Sequence, residues 1–254
     1  MTELSGFNRA IVEKRIEWTP ELFSLRLNGA HLDFKAGQFT KLALHGEDGK
    51  VISRAYSLVN APFASCDWLE FLIVANPQGQ LSPKLQELQE GQTLYVGATA
   101  HGELIFDSIP KTTKDLWLIS TGTGIGPFLS LLDDINMRPG CDNIVLVHGV
   151  RHEKDLVYRY LIDQLLTQYE GRLQYVPVIS REAPQGVLHG RIPELIANGS
   201  LSRFSGVSML PEHSFVMLCG NPDMIRDTSS VLQQQGLRKH RRREPGNFIF
   251  ERYW

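Results

Sequence analysis

The segment STGTGIGP, residues 120–127, has residue types and spacing that can hold a phosphate group. It follows the apolar run LWLIS and precedes apolar residues at helical spacing. A strand-to-helix turn of this kind presents backbone N–H groups and a helix N-terminus to an anion. The glycines alternate instead of following the G-x-G-x-x-G spacing, so a tight turn without a ligand remains an alternative. The candidate phosphate-binding residues are Thr121, Gly122, Thr123 and Gly124.

Arginines follow three strand ends predicted in the C-terminal half: Arg151 after IVLVHGV, Arg181 after VIS and Arg191 after HG. A sheet selective for NAD carries an acidic residue after its second strand, where this chain has Arg151. Guanidinium groups suit a dianionic phosphate. One arginine alone could be a solvated surface charge, but three together favour a 2′-phosphate, and hence NADP(H) over NAD(H). Ser180 and Asp227 are further candidates for binding this nucleotide.

Two segments of the N-terminal half, RAYS at 54–57 and GQLS at 79–82, could bind a second ligand. A cation, an aromatic ring and a hydroxyl on one extended segment suit a ligand with a ring system and a pyrophosphate, although an ordinary strand with a paired arginine has the same pattern. Ser82 is expected to cap a short helix that begins at Pro83, which makes a second phosphate-binding helix N-terminus. One such phosphate cradle in each half of the chain implies that two nucleotide-like ligands meet in a cleft between the two halves. The candidates are Arg54, Ala55, Tyr56, Ser57, Gly79, Gln80, Leu81 and Ser82.

The elements that must position these residues change character along the chain. Up to about residue 105, short alternating strands separated by turn residues predict an antiparallel barrel or sandwich. Beyond it, continuous apolar strands alternate with amphipathic helices, which predicts a doubly wound parallel sheet covered on both faces. We therefore predict two domains, an antiparallel β-barrel at 1–105 and a doubly wound α/β domain at 106–254. Strands are expected at 23–27, 37–44, 55–59, 69–74, 93–98, 116–120, 143–149, 173–180 and 215–220.

The composition narrows the class of protein. The 254 residues include 42% hydrophobic residues, enough for a core, but no apolar run of membrane-spanning length and no signal-peptide pattern. The net charge of -2 argues against a nucleic-acid binder. Three scattered cysteines offer no zinc or iron–sulfur ligand set, so any redox chemistry needs another cofactor. We expect a cytoplasmic, monomeric protein without a metal.

Taken in order, RAYS, GQLS, STGTGIGP and CGNPDM at 219–224 resemble the ferredoxin–NADP⁺ reductase superfamily over almost the whole chain. The basic run before the tail and the ending ERYW are most similar to the bacterial flavodoxin/ferredoxin–NADP⁺ reductases. The resemblance implies an FAD-dependent enzyme that transfers a hydride between NADPH and FAD, and single electrons between FAD and flavodoxin or ferredoxin. It implies that Arg54 pairs with the FAD pyrophosphate and that Tyr56 packs beside the flavin.

The resemblance also implies catalytic roles for four residues. Ser57 would hydrogen-bond near flavin N5 and Cys219 would lie beside the nicotinamide, although a buried cysteine can equally be a small core residue. Glu251 would assist proton and electron traffic, but the additional Trp254 departs from the plant-type pattern, and an exposed carboxylate is the alternative. Tyr253 would stack on the flavin, with Trp254 extending that cover over the flavin or the adenine. The tail would then move aside before hydride transfer, unless it is only a hydrophobic anchor.

The basic run at 238–243 stands out in an otherwise acidic chain. Flavodoxins and ferredoxins are acidic, so the run is expected to dock them, and a solvated charge run is the alternative. Other interpretations remain open: a reductase of small acceptors (free flavin, ferric chelates, quinones), a nucleotide-sensing regulator, or a nucleic-acid module. The expected docking residues are Arg238, Lys239, Arg241, Arg242 and Arg243.

Overall fold

The computed structural model describes residues 4–46, 49–62, 68–241 and 243–252. The N-terminal part forms a six-stranded antiparallel sheet with strand order β4-β3-β6-β1-β2-β5. An isolated bridge between Leu58 and Phe71 joins the end of β4 to β5, so the sheet closes on itself as the predicted barrel. The strands are β1 (Phe7–Glu17), β2 (Leu22–Asn28), β3 (Phe39–His45), β4 (Val51–Ser57), β5 (Trp68–Val74) and β6 (Thr93–Gly97).

The barrel differs from the sequence expectation in two places. No strand is predicted from the sequence at residues 7–17, where the structure has β1. Only Ala10 and Val12 are buried in this strand, and charged residues fill most of its other positions. The helix α1 (Ser82–Glu87) includes Ser82 as its first residue, so the prediction that Ser82 caps this helix is wrong. Leu81 holds the cap position without a side-chain hydrogen bond, because the Ser82 hydroxyl instead accepts from the Asn76 N–H at 3.0 Å.

The C-terminal part forms a six-stranded parallel sheet with strand order β10-β9-β8-β7-β11-β12. Its strands are β7 (Asp115–Thr121), β8 (Asn143–Val150), β9 (Leu173–Ile179), β10 (Leu188–His189), β11 (Ser214–Gly220) and β12 (Phe248–Arg252). Its helices are α2 (Gly126–Asp133), α3 (Arg159–Gln168), α4 (Ile192–Ala197), α5 (Ser200–Ser205) and α6 (Pro222–Gln234). Short 3₁₀ turns lie at Phe106–Ser108, Gly122–Ile125 and Glu153–Asp155.

Helices cover both faces of this sheet, as the continuous apolar strands predict. Leu116 and Leu118 pack with residues of α2 and α3 on one face. Trp117 and Ile119, the alternate residues of the same strand, pack with residues of α4, α5 and α6 on the other. The fold is therefore the predicted antiparallel β domain followed by a doubly wound α/β domain, while the exact boundary after residue 105 stays a prediction.

The order of the parallel strands creates a crevice beside β7. The chain runs outward from β7 through β8, β9 and β10, and then returns to place β11 on the opposite side of β7. In open α/β sheets, ligands bind at the carboxyl ends of the strands where the order reverses in this way. The final strand β12 pairs with β11 and places the C-terminal segment at the edge of the sheet.

The two sheets are joined by buried polar contacts. The Ser130 hydroxyl of α2 donates to the Asn60 carbonyl at 2.7 Å and accepts from the Gly37 N–H at 3.2 Å. The Tyr158 hydroxyl, at the start of α3, donates to the Glu70 carboxylate of β5 at 2.6 Å. Within the described ranges, no helix combines the length and apolar character that a membrane crossing requires.

Candidate active site

The glycine loop, which we define as residues 121–124, lies at the reversal point between β7 and β11. A Cβ on Gly124 would lie only 2.6 Å from the Cys219 carbonyl oxygen, so this position requires glycine for contact with β11. Gly122 has a φ of +54°, in the left-handed region that favours glycine. The departure from G-x-G-x-x-G spacing therefore has a structural reason: the glycines satisfy the turn and the close approach of β11.

The other side of the loop is tied to the neighbouring strand as well. Gly220 has a φ of +129°, and a Cβ there would lie 2.3 Å from the Thr121 hydroxyl oxygen. That hydroxyl accepts from the Asn221 N–H at 2.9 Å. The loop is consequently held in one conformation before any ligand binds, with the N-terminal end of α2 directly after it.

His148, which no sequence motif predicted as a site residue, hydrogen-bonds to the glycine loop from the neighbouring strand β8. Its ring is fully buried, with Nε2 3.1 Å from the Gly122 carbonyl oxygen and Nδ1 3.3 Å from the Tyr175 hydroxyl. Burial lowers the pKa of His148 to about 4, so the ring is neutral at pH 7. A carbonyl only accepts, so Nε2 donates to Gly122 and Nδ1 accepts from Tyr175. A polar residue near the end of the apolar run IVLVHG was the available signal.

The carboxyl ends of β11 and β12 bring two candidate residues, Cys219 and Glu251, side by side. Cys219 is fully buried and pairs in register with Ser120 on one side and Glu251 on the other. Glu251 is not the exposed carboxylate of the alternative interpretation, because it is half-buried and its Oε1 accepts from the Glu103 N–H at 2.7 Å. Burial raises the pKa of Glu251 to about 6. Tyr253 and Trp254 lie outside the described residues.

The RAYS strand and the GQLS turn enclose a cleft of about 580 Å³ on the barrel. The Arg54 guanidinium donates to the Gln80 side-chain oxygen at 2.9 Å, which joins the two segments. Lys50 and Lys84 also line the cleft, and among the residues that the structure describes no carboxylate does so. The charge and size of the cleft therefore suit a phosphate-containing ligand. A Cβ on Gly79 would lie 3.0 Å from the Ser82 hydroxyl oxygen, so the turn needs this glycine to remain compact.

The remaining RAYS residues lead from this cleft towards the second sheet. Ala55 is exposed, Tyr56 is half-buried and Ser57 is buried. Desolvation raises the pKa of Tyr56 to about 12, against the lowering effect of Arg54, so the phenol remains protonated at pH 7. Just beyond Ser57, the Val59 side chain reaches the start of α2, where a Cβ on Gly126 would lie 3.3 Å from it. The segment that follows the RAYS strand thus ends against the start of α2, which follows the glycine loop.

The three arginines lie on neighbouring loops at the same edge of the parallel sheet. Arg151 follows β8, Arg181 follows β9 and Arg191 immediately precedes α4, and all three are exposed. The Arg181 N–H donates to the Arg151 carbonyl at 3.0 Å, and Ser180 bonds to Val150, so the first two loops are joined. In the described part of the chain, none of these guanidinium groups has an ion-pair partner. Asp227, on α6, is paired with Arg226 at 3.0 Å.

The basic run lies beside β12, the last strand of the sheet. Arg238, Lys239, Arg241 and Arg243 are exposed, and Arg242 lies outside the described residues. The Lys239 ammonium lies 4.0 Å from the centroid of the Phe250 ring, so the run packs against β12 through this cation–π contact.

Comparison with known proteins agrees with this geometry. Residues 10–104 match the oxidoreductase FAD-binding domain family and residues 118–230 the oxidoreductase NAD-binding domain family. The chain is 45% identical over 244 residues to a flavodoxin/ferredoxin–NADP reductase of Escherichia coli (strain K12), with 96% of this chain and 97% of the relative covered. It is 42% identical over 254 residues to the protein of the same name from Buchnera aphidicola subsp. Schizaphis graminum (strain Sg), with 96% and 98% covered.

A solved structure shows the same fold with both nucleotides in place. The crystal structure of a ferredoxin NADP⁺ reductase from Neisseria gonorrhoeae with bound FAD and NADP matches with a TM-score of 0.90 and 34% identity. The match covers 99% of this chain and 100% of that one. The resemblance of RAYS, GQLS, STGTGIGP and CGNPDM is thereby confirmed, and the chain belongs to the flavodoxin/ferredoxin–NADP reductase family.

Proposed function

We propose that this protein transfers electrons between NADPH and flavodoxin or ferredoxin through bound FAD. The observation that carries the proposal is the contact between the segment after RAYS and the start of α2, which would bring the two proposed phosphate cradles close together. When bound, FAD supplies the exchange of a hydride with the nicotinamide and of single electrons with the protein partner. The chain itself would bind and align FAD and NADPH, and would provide a carboxyl group that can hold a proton.

The barrel cleft fits FAD by its chemistry. Arg54 is proposed to pair with the pyrophosphate, helped by the positive charge of Lys50 and Lys84, which line the same cleft. Gly79, Gln80, Leu81 and Ser82 form the turn on which that group would rest. Tyr56 and Ser57, at the inner end of β4, would then lie beside the flavin ring. Ala55 is exposed between Arg54 and Tyr56, and its small side chain would leave the approach of FAD to the cleft open.

The α/β domain supplies the second nucleotide site. Thr121, Gly122, Thr123 and Gly124 are proposed to hold the NADPH pyrophosphate through their backbone N–H groups. Ser180 and the three arginines would surround the 2′-phosphate, with Asp227 on α6 as a further contact to the nucleotide. Cys219, at the end of β11 against the glycine loop, would lie beside the nicotinamide.

Glu251 is proposed to hold a proton near the flavin. Its pKa of about 6 lies close to physiological pH, so the carboxyl can both release and accept a proton there. Tyr253 and Trp254 follow within three residues, and their stacking on the flavin or adenine stays a prediction.

The basic run at 238–243 is proposed as the docking surface for the acidic protein partner, because its described cations are exposed at the edge strand β12. The same proposal includes a monomeric state, a location in the cytoplasm and no requirement for a metal.

The test compares electron acceptors. Purified protein loaded with FAD should reduce flavodoxin or ferredoxin with NADPH, and more slowly with NADH. Turnover with free flavin or ferric chelates but with neither protein carrier would instead favour the reductase of small acceptors. A folded preparation that takes up no FAD would contradict the proposal altogether.

A further inference from the structure

Glu182 joins the loops that follow β8 and β9. One carboxylate oxygen lies 2.8 Å from His152 Nδ1, and the other accepts from the Glu153 N–H at 2.8 Å. Both oxygens of one side chain are therefore engaged by a single loop on the neighbouring strand. These hydrogen bonds hold the pKa of Glu182 below its usual range, so the carboxylate is ionised at neutral pH.

The main chain of Glu182 reaches a third segment. Its carbonyl accepts from a ring nitrogen of His189, on β10, at 2.7 Å. The loop between residues 182 and 189 is thus closed by its own first and last residues. Glu182 contacts three segments of chain, although its side chain lies at the surface.

Each of these contacts lies within two residues of one of the three arginines. His152 follows Arg151, Glu182 follows Arg181, and His189 precedes Arg191 by two positions. We propose that Glu182 is a positioning residue that braces the three arginine-bearing loops and so sets the preference for a nucleotide with a 2′-phosphate. This inference rests on the proposed function, in which these arginines bind that phosphate.

The direction of the effect follows from where the carboxylate points. A carboxylate in a phosphate site could repel the ligand, and its removal would then tighten binding. Here Glu182 is turned to His152 and Glu153 and forms no ion pair with Arg151, Arg181 or Arg191 in the described ranges. The three guanidinium groups stay available, and loops ordered in advance lose less conformational entropy when the nucleotide binds. Removal of the Glu182 side chain breaks the contacts to His152 and Glu153, while the carbonyl contact to His189 remains. It should therefore weaken binding by loosening the loops that carry Arg151 and Arg181.

The experiment measures nucleotide binding by calorimetry, with 2′,5′-ADP and 5′-AMP as probes that differ in the 2′-phosphate. In Glu182→Ala we expect the Kd of 2′,5′-ADP to rise about tenfold, because misplaced guanidinium forks lose paired hydrogen bonds, while the Kd of AMP changes less than about twofold. Glu182→Gln should keep most of the affinity. Its amide oxygen can accept from Glu153, and its NH₂ can donate to a neutral His152 ring.

A matched control separates bracing from charge. Glu194→Ala removes another exposed carboxylate, one turn into the helix that Arg191 precedes, without breaking a contact between the loops. It should leave the Kd of 2′,5′-ADP within about twofold of the original, since screening limits the effect of a distant exposed charge. Equal weakening in Glu182→Ala and Glu182→Gln, with Glu194→Ala unaffected, would support the brace and assign it to the charge of the carboxylate.

Other results would overturn the inference. Tighter 2′,5′-ADP binding in both Glu182 variants would show repulsion instead of bracing. Unchanged binding in Glu182→Ala, alongside weakened binding in Arg181→Ala and Arg191→Ala, would show that Glu182 is not a positioning residue. The assignment of the arginines to the 2′-phosphate would then still hold. Unchanged binding in the arginine variants themselves would refute that assignment and the brace together.

Discussion

His148 shows how a single buried side chain can hold a binding loop. It donates to Gly122 in the glycine loop and lies beside Tyr175 on β9, so it connects the loop to the sheet beneath it. No solvent reaches the ring, and therefore the neutral form is strongly preferred. We expect such a residue to contribute to nucleotide binding by fixing the loop, without touching the nucleotide.

The stability of the protein should fall in mild acid because of His148. Its pKa is about 4 in the folded protein, against an ordinary value of 6.5, so between these two values only the unfolded chain binds the proton. The contribution of His148 to the free energy of unfolding is fully present above pH 6.5. It decreases as the pH falls through this window, and about 3 kcal/mol is lost at pH 4. Urea unfolding of the protein and of His148→Gln, measured from pH 7 to pH 4, checks this contribution.

The two variants of His148 should behave differently at pH 7. His148→Gln can still donate to Gly122 and should lose little stability, while its unfolding free energy should vary less between pH 6.5 and pH 4. His148→Leu removes the hydrogen bonds of His148 to the Gly122 carbonyl and the Tyr175 hydroxyl and should lose about 1–3 kcal/mol. Identical pH profiles in the protein and in His148→Gln would show that His148 does not control this transition.

At the scale of elements, the glycine loop and β11 form one packed unit. Gly124→Ala would place a Cβ 2.6 Å from the Cys219 carbonyl oxygen, and neither backbone can move without disturbing the sheet. We expect a loss of about 1–3 kcal/mol in stability and weaker NADPH binding, because the loop must shift away from β11. Gly140→Ala is the control, since a Cβ there meets nothing within 4 Å. Equal effects of the two substitutions, in thermal unfolding and in NADPH titration, would contradict this packing argument.

The sequence predicted most elements because their signals are local. Continuous apolar runs mark β7, β8, β9 and β11, and the strands predicted at 23–27 and 69–74 coincide with β2 and β5. β1 escaped prediction because charged residues dominate its exposed face, and α5 because Leu201 is its one buried apolar residue. Ser82 has the residue type of a helix cap, but its hydroxyl is taken by Asn76, which no local pattern reveals.

The candidate site was predictable where it depends on short motifs. RAYS, GQLS, STGTGIGP and the arginines after strand ends are read directly from consecutive residues. In the structure RAYS and GQLS line one cleft, and the segment after RAYS contacts the start of α2 within STGTGIGP. The supporting contacts join residues far apart in the chain. His148 and Gly122 are separated by 26 positions, His152 and Glu182 by 30, and Tyr158 and Glu70 by 88. No spacing rule predicts such pairs, because they depend on the strand order.

At the scale of the whole molecule, Tyr158 links the two sheets. Its backbone has a φ of +60°, which is unfavourable for a tyrosine, and its ring lies 4.9 Å from that of Trp18. Its buried hydroxyl donates to Glu70, whose other oxygen is paired with Arg26 at 3.1 Å. Proximity to Glu70 and burial both raise the pKa of Tyr158, so the hydroxyl stays protonated and able to donate.

Removal of this hydroxyl should weaken the coupling of the two parts. Tyr158→Phe leaves Glu70 without a donor at one buried oxygen, and we expect a loss of about 1–3 kcal/mol. Calorimetry should show a broader unfolding transition, with a van't Hoff enthalpy below the calorimetric one, because the two sheets then unfold less cooperatively. Tyr160→Phe, on a side chain that is 77% exposed two residues away, should change neither quantity. A single sharp transition in Tyr158→Phe would show that other contacts provide the coupling.

The charge distribution of the whole chain predicts how its partner approaches. The run RKHRRR contains five of the 26 Lys and Arg residues in a chain of net charge -2, so its field stands out against an acidic background. Exposed charges steer association over distances of about 10 Å at 0.1 M salt, and less at higher ionic strength. Arg241→Glu with Arg243→Glu should slow flavodoxin reduction about tenfold at low salt. The difference should shrink as salt is added, whereas NADPH-dependent reduction of a small dye should not change.

A matched pair of substitutions tests whether the position of these charges matters. Arg9→Glu with Lys14→Glu changes the net charge by the same amount at exposed positions of β1, in the barrel. Stopped-flow measurements of flavodoxin reduction against ionic strength should leave this pair close to the original protein, because steering depends on the field at the docking surface more than on the total charge. If both pairs slow the reaction equally, only net charge matters. If dye reduction falls together with flavodoxin reduction in the first pair, the run instead supports β12, through contacts such as that of Lys239 with Phe250.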